Sequence, residues 1–327
     1  MTNKVDIFTD LETDIHNADI PERQKNIMLK NVMNLRDRKI NIMITGATGA
    51  GKSSTINALF DMDVAKVGIG VDPETMDIQK YELDNLVLWD SPGLGDGREA
   101  DNRHAKNIIK KLAECDEHGD ALIDLVLVIL DGSTRDLGTS YELINSVIIP
   151  NLGENAKNRI LVAINQCDMA MKGRYWNKAL NKPEPQLVKF LDEKAQSVRR
   201  RIKDGTGVDI EPIYYCAGWK EADEKQNPYN LSKLLYFIIQ HTPKEKRLVY
   251  INNISQKDEV WKDNDELKDY SWEIKKSFAE TVRDYATKGA DIGGSIGSIF
   301  GETGEKIGRA VGTVVGGVIG FLGGLFS

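Results

Sequence analysis

Residues Gly46, Ala47, Thr48, Gly49, Ala50, Gly51, Lys52 and Ser53 carry the strongest chemical signal in the chain. They have the form GxxxxGKS, follow the apolar run Ile40–Thr45 and lead through Ser54 into a stretch of helical spacing. Glycines so placed let the backbone wrap around phosphate groups, with N–H groups aimed inward at a helix start. Lys52 then reaches the β- and γ-phosphates, and the Ser53 hydroxyl serves Mg²⁺.

Three further segments follow in order. Asp90, Ser91, Pro92 and Gly93 directly follow the apolar run Leu86–Trp89. A carboxylate there can hold Mg²⁺ through water, and the Gly93 N–H can meet a γ-phosphate. Between Ser53 and Asp90 a Thr is expected to close over the metal. Thr75 is the candidate, as the only Ser or Thr in that interval past the first helix. Lys52, Thr75 and Gly93 are the candidate catalytic groups, and Ser53, Thr75 and Asp90 the candidate metal ligands. Asn165, Gln166, Cys167 and Asp168 end the run Ile160–Ile164. The Asp168 carboxylate can accept from guanine N1–H and its 2-amino group; adenine offers neither donor and would leave the carboxylate unpaired. Asn165 ties this loop to its neighbours. Cys216, Ala217 and Gly218 come last, with the Ala217 N–H available to the guanine oxygen.

Elements to position these segments are legible. The runs Ile40–Thr45, Leu86–Trp89, Leu122–Leu130 and Ile160–Ile164 are short, rich in β-branched residues and nearly continuous, as strands covered on both faces are. Asp77–Leu83 alternates and reads as an antiparallel edge partner of Leu86–Trp89, turning at Asp84 and Asn85. A sixth strand is expected near Ile210–Tyr215, after a helix through Leu187–Lys203, and a last helix at Leu231–His241. Upstream, Pro21 starts a helix whose packing stripe is Ile27, Leu29, Val32 and Leu35. Residues 244–287 read as amphipathic helical material.

Taken together, these segments resemble the nucleotide motifs of bacterial Era-like small GTPases, in the translation-factor class whose branch also holds septins and immunity-related GTPases. The resemblance covers about residues 38–243. It implies a P-loop NTPase G domain of α/β class: a six-stranded, mostly parallel sheet with one antiparallel edge strand, helices on both faces, and helical N- and C-terminal extensions. It also implies GTP/GDP and Mg²⁺ as cofactors, and nucleotide contacts from Gly46 through Ser54, Asp90, Gly93, Asn165, Gln166, Asp168 and Cys216–Gly218. Three positions depart from the pattern. Gln166 stands where the family has Lys. Leu94 follows DSPG where Ras-like enzymes carry a water-orienting Gln, and an apolar side chain cannot orient water. Gly49 stands where potassium-using relatives carry Asn. Arg98, Arg103 and His104 invite a catalytic reading, against which a mobile, solvated charged loop is favoured; Arg135 is a candidate for acting across a dimer interface.

Composition narrows the partners. The 327 residues hold 43 Lys and Arg against 50 Asp and Glu, a net charge of −7, which disfavours broad binding to DNA or RNA. No RNA module is recognisable, so ribosome binding is disfavoured too. Three dispersed cysteines cannot frame disulfides, and the first residues lack a secretory apolar core, so a cytoplasmic protein is expected. His16, His118 and His241 lack metal-ligand spacing and are expected at the surface.

The tail obeys different rules. Of 29 glycines, 13 lie between Gly289 and Gly324, and Gly304, Gly308, Gly312, Gly316, Gly320 and Gly324 recur every four residues. Ala310–Ser327 contains no charge and as one helix would span about 27 Å, close to a bilayer core. Such a glycine zipper lets helices approach closely. Three readings stay open: membrane insertion or membrane-assisted oligomerisation, which is favoured, a soluble packed helix, and a flexible tail. The expected layout is therefore an N-terminal helical extension (1–37), a G domain (38–243), a helical segment (244–288) and a hydrophobic tail (289–327). The expected function is a GTP-hydrolysing, nucleotide-controlled switch that associates with a membrane. The alternative is a GTP-dependent oligomerising module with little turnover, dimerising through the G domain or the tail.

Overall fold

The computed structural model describes residues 7–17, 21–62, 78–95, 97–221 and 224–288. Thr75 and the glycine-rich tail lie outside these residues. The chain divides into two units, one of Met1–Lys39, Pro243–Ile254 and Asp269–Ser327, the other of Ile40–Thr242 with Ser255–Lys268.

The second unit carries the sheet. Its strands are β1 (Ile40–Thr45), β2 (Gln79–Leu83), β3 (Leu86–Asp90), β4 (Leu125–Asp131), β5 (Ile160–Asn165) and β8 (Ile213–Tyr214). They lie in the order β2-β3-β1-β4-β5-β8, with β2–β3 antiparallel and every other pair parallel. Burial explains the order. All six residues of β5 are buried, and so are Leu125–Leu130 of β4, whereas only Tyr81 of β2 is. Continuous apolar strands must be covered on both faces; an alternating polar strand can only stand at an edge. The β2–β3 turn is Asp84-Asn85, with Asp84 at φ +38°. Two strands are displaced from expectation: β4 begins three residues after Leu122, and β8 shrinks to Ile213–Tyr214.

Helices α3 (Lys52–Phe60), α4 (Arg98–Leu112), α5 (Gly138–Glu142, continued by a π-helical turn Leu143–Ile148), α6 (Ala156–Arg159), α7 (Pro185–Thr206) and α8 (Leu231–Gln240) complete the unit. α7 starts on Pro185 in its first turn and stops at Gly207 with φ +76°, the expected asymmetry of helix ends. Two small ladders, β6 (Trp176–Asn177) with β7 (Lys182–Pro183) and β9 (Trp219–Glu221) with β10 (Glu224–Gln226), project after β5 and β8 respectively.

Residues 255–268 are not helical beyond the 3₁₀ turn Asp258–Val260. Local side chains divert the backbone: Ser255 Oγ accepts from Lys257 N–H at 3.3 Å, Asn264 Oδ1 from Glu266 N–H at 2.8 Å and Asp265 Oδ1 from Leu267 N–H at 3.2 Å. This strap is pinned to its unit by Ser255 N–H to Leu59 O (2.7 Å), an Asp61–Lys257 ion pair, Lys225–Glu259 (3.4 Å) and Lys233–Asp265 (2.6 Å).

The first unit is helical, with α1 (Ile7–Asn17), α2 (Glu22–Arg36), a 3₁₀ stretch Lys244–Tyr250 and α9 (Tyr270–Lys288). Its core is built from Ile7, Leu11 and Ile15, Met28, Val32 and Leu35, and Ile274, Phe278 and Val282, each set at helical spacing. Met28 takes the buried place expected of Ile27 and Leu29, which are half-buried flanks, and Pro21 caps α2 rather than opening its first turn. Among the described residues no helix is long and apolar enough to cross a membrane.

Candidate functional site

The parallel strands deliver their C-terminal ends to one edge, where the sequence motifs meet. β1 runs into the glycine loop. Gly46 has φ +148°, and a Cβ there would lie 2.1 Å from the Ile129 carbonyl oxygen on β4, so only glycine lets the loop leave the sheet at this point. Gly51 caps α3 with φ +88°; no side chain bonds the cap and no acidic residue stands in the first turn, so the positive helix end is suited to an anion. Lys52 Nζ donates to Gly46 O at 2.8 Å and lies 3.4 Å from Ala47 O, folded across the loop it would serve. Ser53 and Ser54 are exposed on the first turn of α3, as are Thr48 and Gly49 on the loop.

The DSPG turn packs against this loop. A Cβ on Gly93 would fall 2.2 Å from Gly46 O and 2.8 Å from Ala47 N, so the two backbones touch, and any side chain here would push them apart. Asp90 lies opposite Ile44 of β1, and its Oδ1 is buried with no hydrogen-bond partner. Burial raises its carboxyl to about 6, with Lys52 pulling the other way. Thr45 Oγ1, Ser91 Oγ and His104 Nε2 are likewise buried without partners around the ends of β1 and β3. A buried orphan carboxylate oxygen and the Ser53 hydroxyl are hard oxygen donors, few in number, of the kind Mg²⁺ uses when phosphates supply the rest. The residues present fit that ion.

The segment after Gly93 differs from expectation. Arg98, Arg103 and His104 stand on α4, not in a mobile loop; Arg98 and Arg103 are exposed, but His104 is 2% exposed and its Nδ1 lies 2.9 Å from Gly93 O. The reason is spacing: Ala100, His104, Ile108 and Leu112 recur every four residues and form the buried stripe of the helix. Leu94 is buried in the main hydrophobic cluster. Arg135 is exposed beyond β4. His241 is half-buried rather than superficial; its Nδ1 lies 2.8 Å from Phe237 O, and burial lowers its pKa.

At the other end, Asn165 is buried and bridges two loops: Nδ2 donates to Ala50 O (2.9 Å) and Oδ1 accepts from Ala217 N–H (3.0 Å). The Ala217 N–H expected at the guanine oxygen is thus engaged with Asn165. Gln166, at φ +58°, sends Nε2 to Gly49 O at 2.6 Å, so an amide bridges to the phosphate loop where the family has an ammonium. Asp168 is 5% exposed; Oδ2 accepts from Gln226 Nε2 at 3.2 Å, and Oδ1 is buried without a partner. Burial drives the Cys167 and Cys216 thiols well above their ordinary pKa, which leaves them protonated and inert. Thr55 and Tyr215 share a buried 2.6 Å hydrogen bond that ties α3 to the end of β8. A cavity of about 570 Å³ opens between Ser54 and Asn57 on α3 and Ala217, Gly218, Trp219 and Gln226. Sequence reasoning missed Gln226 altogether; Trp219, directly after the CAG segment, was the available hint.

Residues 41–166 match the family model described as 50S ribosome-binding GTPase. With that match, the strand order and the loop geometry agree. The fold is a P-loop GTPase G domain. The match supports GTP binding and a nucleotide-controlled switch. The chain is 29% identical over 157 residues to the uncharacterized protein YkfA of Escherichia coli K12, covering 47% of this chain and 50% of the relative. It is 32% identical over 133 residues to YfjP of the same organism, covering 39% and 42%. The chain therefore spans half or less of the curated relatives it matches. Among solved structures, Toc33 from Arabidopsis thaliana in complex with Mg²⁺ and GMPPNP aligns over 64% of this chain and 85% of its own, at 13% identity and a TM-score of 0.39.

Proposed function

We infer that the chain binds Mg²⁺·GTP and hydrolyses it to GDP and phosphate, acting as a switch of the Era-like kind. The observation that carries this reading is the unpartnered Asp168 Oδ1, 5% exposed, at the same strand-end edge as an uncapped phosphate loop. A buried carboxylate oxygen without a donor is costly unless a ligand supplies one, and guanine supplies two. Lys52, the loop N–H groups and Gly93 bind and orient the triphosphate; Ser53, Asp90 and Thr75 would hold Mg²⁺, which neutralises developing charge on the phosphate oxygens. Gly93 touches the phosphate loop through its backbone, so the presence or loss of the γ-phosphate is felt directly by the DSPG turn and, through His104, by α4. The glycine-zipper tail is the proposed membrane contact of a cytoplasmic protein, with oligomerisation through the tail or the G domain.

A second reading, a GTP-dependent oligomerising module with little turnover, is favoured by Leu94: packed in the core, it orients no water. Single-turnover hydrolysis with and without anionic vesicles separates the two. Measurable turnover that rises with protein concentration or lipid supports the switch; negligible turnover under every condition supports the module. Flotation of the whole chain beside a version ending at Lys288 tests the membrane contact, and equal behaviour of both rejects it.

A further inference from the structure

We propose that Gln226 is a specificity-determining positioning residue of the base site, holding one oxygen of Asp168 so that the other faces guanine. This rests on the reading that Asp168 recognises guanine. A carboxylate terminates in a soft, two-fold torsion, so burial alone does not set the plane in which its oxygens point. Recognition of N1–H and the 2-amino group together requires that plane to be fixed.

Gln226 supplies the fixing contact, and its own orientation is determined by chemistry. The Trp219 indole Nε1–H can only donate, and it donates to Gln226 Oε1 at 3.1 Å. The amide oxygen must therefore face Trp219, which turns Nε2–H toward Asp168 Oδ2 at 3.2 Å, with Cys216 Sγ 3.5 Å away. Trp219 and Gln226 are directly opposed across the β9–β10 ladder, so the relay is built into one hairpin. Gly218 lets that hairpin fold back: its φ is +74° and a Cβ would lie 2.6 Å from Gln226 O. The relay thus joins the loop after β8 to the loop after β5 and leaves Asp168 Oδ1 alone unpartnered. No ion pair reaches Asp168 among the described residues; its carboxylate is held by the Gln226 amide with the Cys216 thiol beside it, both uncharged. A Lys or Arg in that place would compete with guanine for the same oxygens.

The test is competition binding to the whole chain with GTP, ITP (which lacks the 2-amino group) and ATP. In Gln226→Leu, GTP affinity falls about tenfold, the loss of one hydrogen bond to a charged group, while ITP and ATP change less, so the GTP/ITP and GTP/ATP ratios shrink. Trp219→Phe keeps the ring but loses the donor and shifts both ratios the same way by a smaller factor. Thermal melting of each variant checks folding; if Gln226→Leu does not fold, Trp219→Phe carries the test. Ratios within twofold of wild type in the folded variants overturn the relay. Asp168→Asn, run alongside, separates that failure from a failure of the base reading: if it too leaves the GTP-to-xanthosine-triphosphate preference unchanged, the base reading itself is wrong.

Discussion

The two ends of the site are built from different materials. The phosphate end is made of backbone: Gly46, Gly51 and Gly93 are placed where a single added carbon would collide with a neighbouring carbonyl or side chain, and Lys52, laid across the loop, bonds to main-chain oxygens. The base end is made of side chains: Asn165, Gln166, Asp168, Gln226 and Trp219 bridge three separate loops by hydrogen bonds between 2.6 and 3.2 Å. Backbone donors recognise charge and cannot tell one nucleoside triphosphate from another. Side-chain acceptors in fixed places add little attraction for the phosphates but decide which base is accepted. Affinity and selectivity should therefore be separable by mutation.

The largest effect is expected at the phosphate end. Lys52→Ala should weaken every triphosphate by roughly a hundredfold or more while leaving the ratio of GTP to ITP intact. A change in that ratio on calorimetry would break the division. Asp168→Asn should cost GTP about a hundredfold and raise the relative affinity for xanthosine triphosphate, whose ring oxygen meets the new amide donor. An unchanged preference in direct competition would remove Asp168 as the base reader.

A third prediction concerns pH. Burial raises the Asp90 carboxyl to about 6, so the folded chain holds this proton more tightly than the unfolded chain. The contribution of this group to stability is therefore gained as pH falls from about 6 toward 4, and it is lost on deprotonation above 6. Mg²⁺ requires the deprotonated form, so Mg²⁺-dependent GTP affinity should fall up to about tenfold per pH unit below 6. Asp90→Asn should bind Mg²⁺·GTP weakly and without that slope; an identical slope in the variant would assign the titration to another group. The smallest functional effect is expected at Leu94. Leu94→Ala should lower stability by about 2–4 kcal/mol as a core truncation, yet leave the single-turnover rate within about twofold. A collapse of the rate without loss of stability would make Leu94 part of the chemistry.

The same contrast explains what was legible in the sequence. The phosphate loop reads directly because backbone geometry leaves a glycine signature at fixed spacing, and the sheet reads because buried parallel strands are continuously apolar. Its polar edge strand was equally plain, down to the turn at Asp84 and Asn85. The base end was legible only as Asn165 and Asp168, since a partner such as Gln226 sits 58 residues downstream of Asp168 and no local pattern marks it. The burial of His104 is not legible in the sequence because its charge-rich neighbours, Arg98 and Arg103, hide a four-residue apolar stripe in which a histidine replaces an aliphatic residue. The strap at 255–268 has the amphipathic composition of a helix, but Ser255, Asn264 and Asp265 bond the backbone two residues on and end helical order there.

The central claim is that backbone amides beside Lys52 cradle a triphosphate whose base is selected by Asp168. Calorimetric titration of the whole chain with Mg²⁺·GTP and, separately, Mg²⁺·ATP tests it most directly. The account predicts one site per chain for GTP and binding weaker by at least about a hundredfold for ATP. Equal affinity for the two nucleotides, or no heat with either, would contradict it.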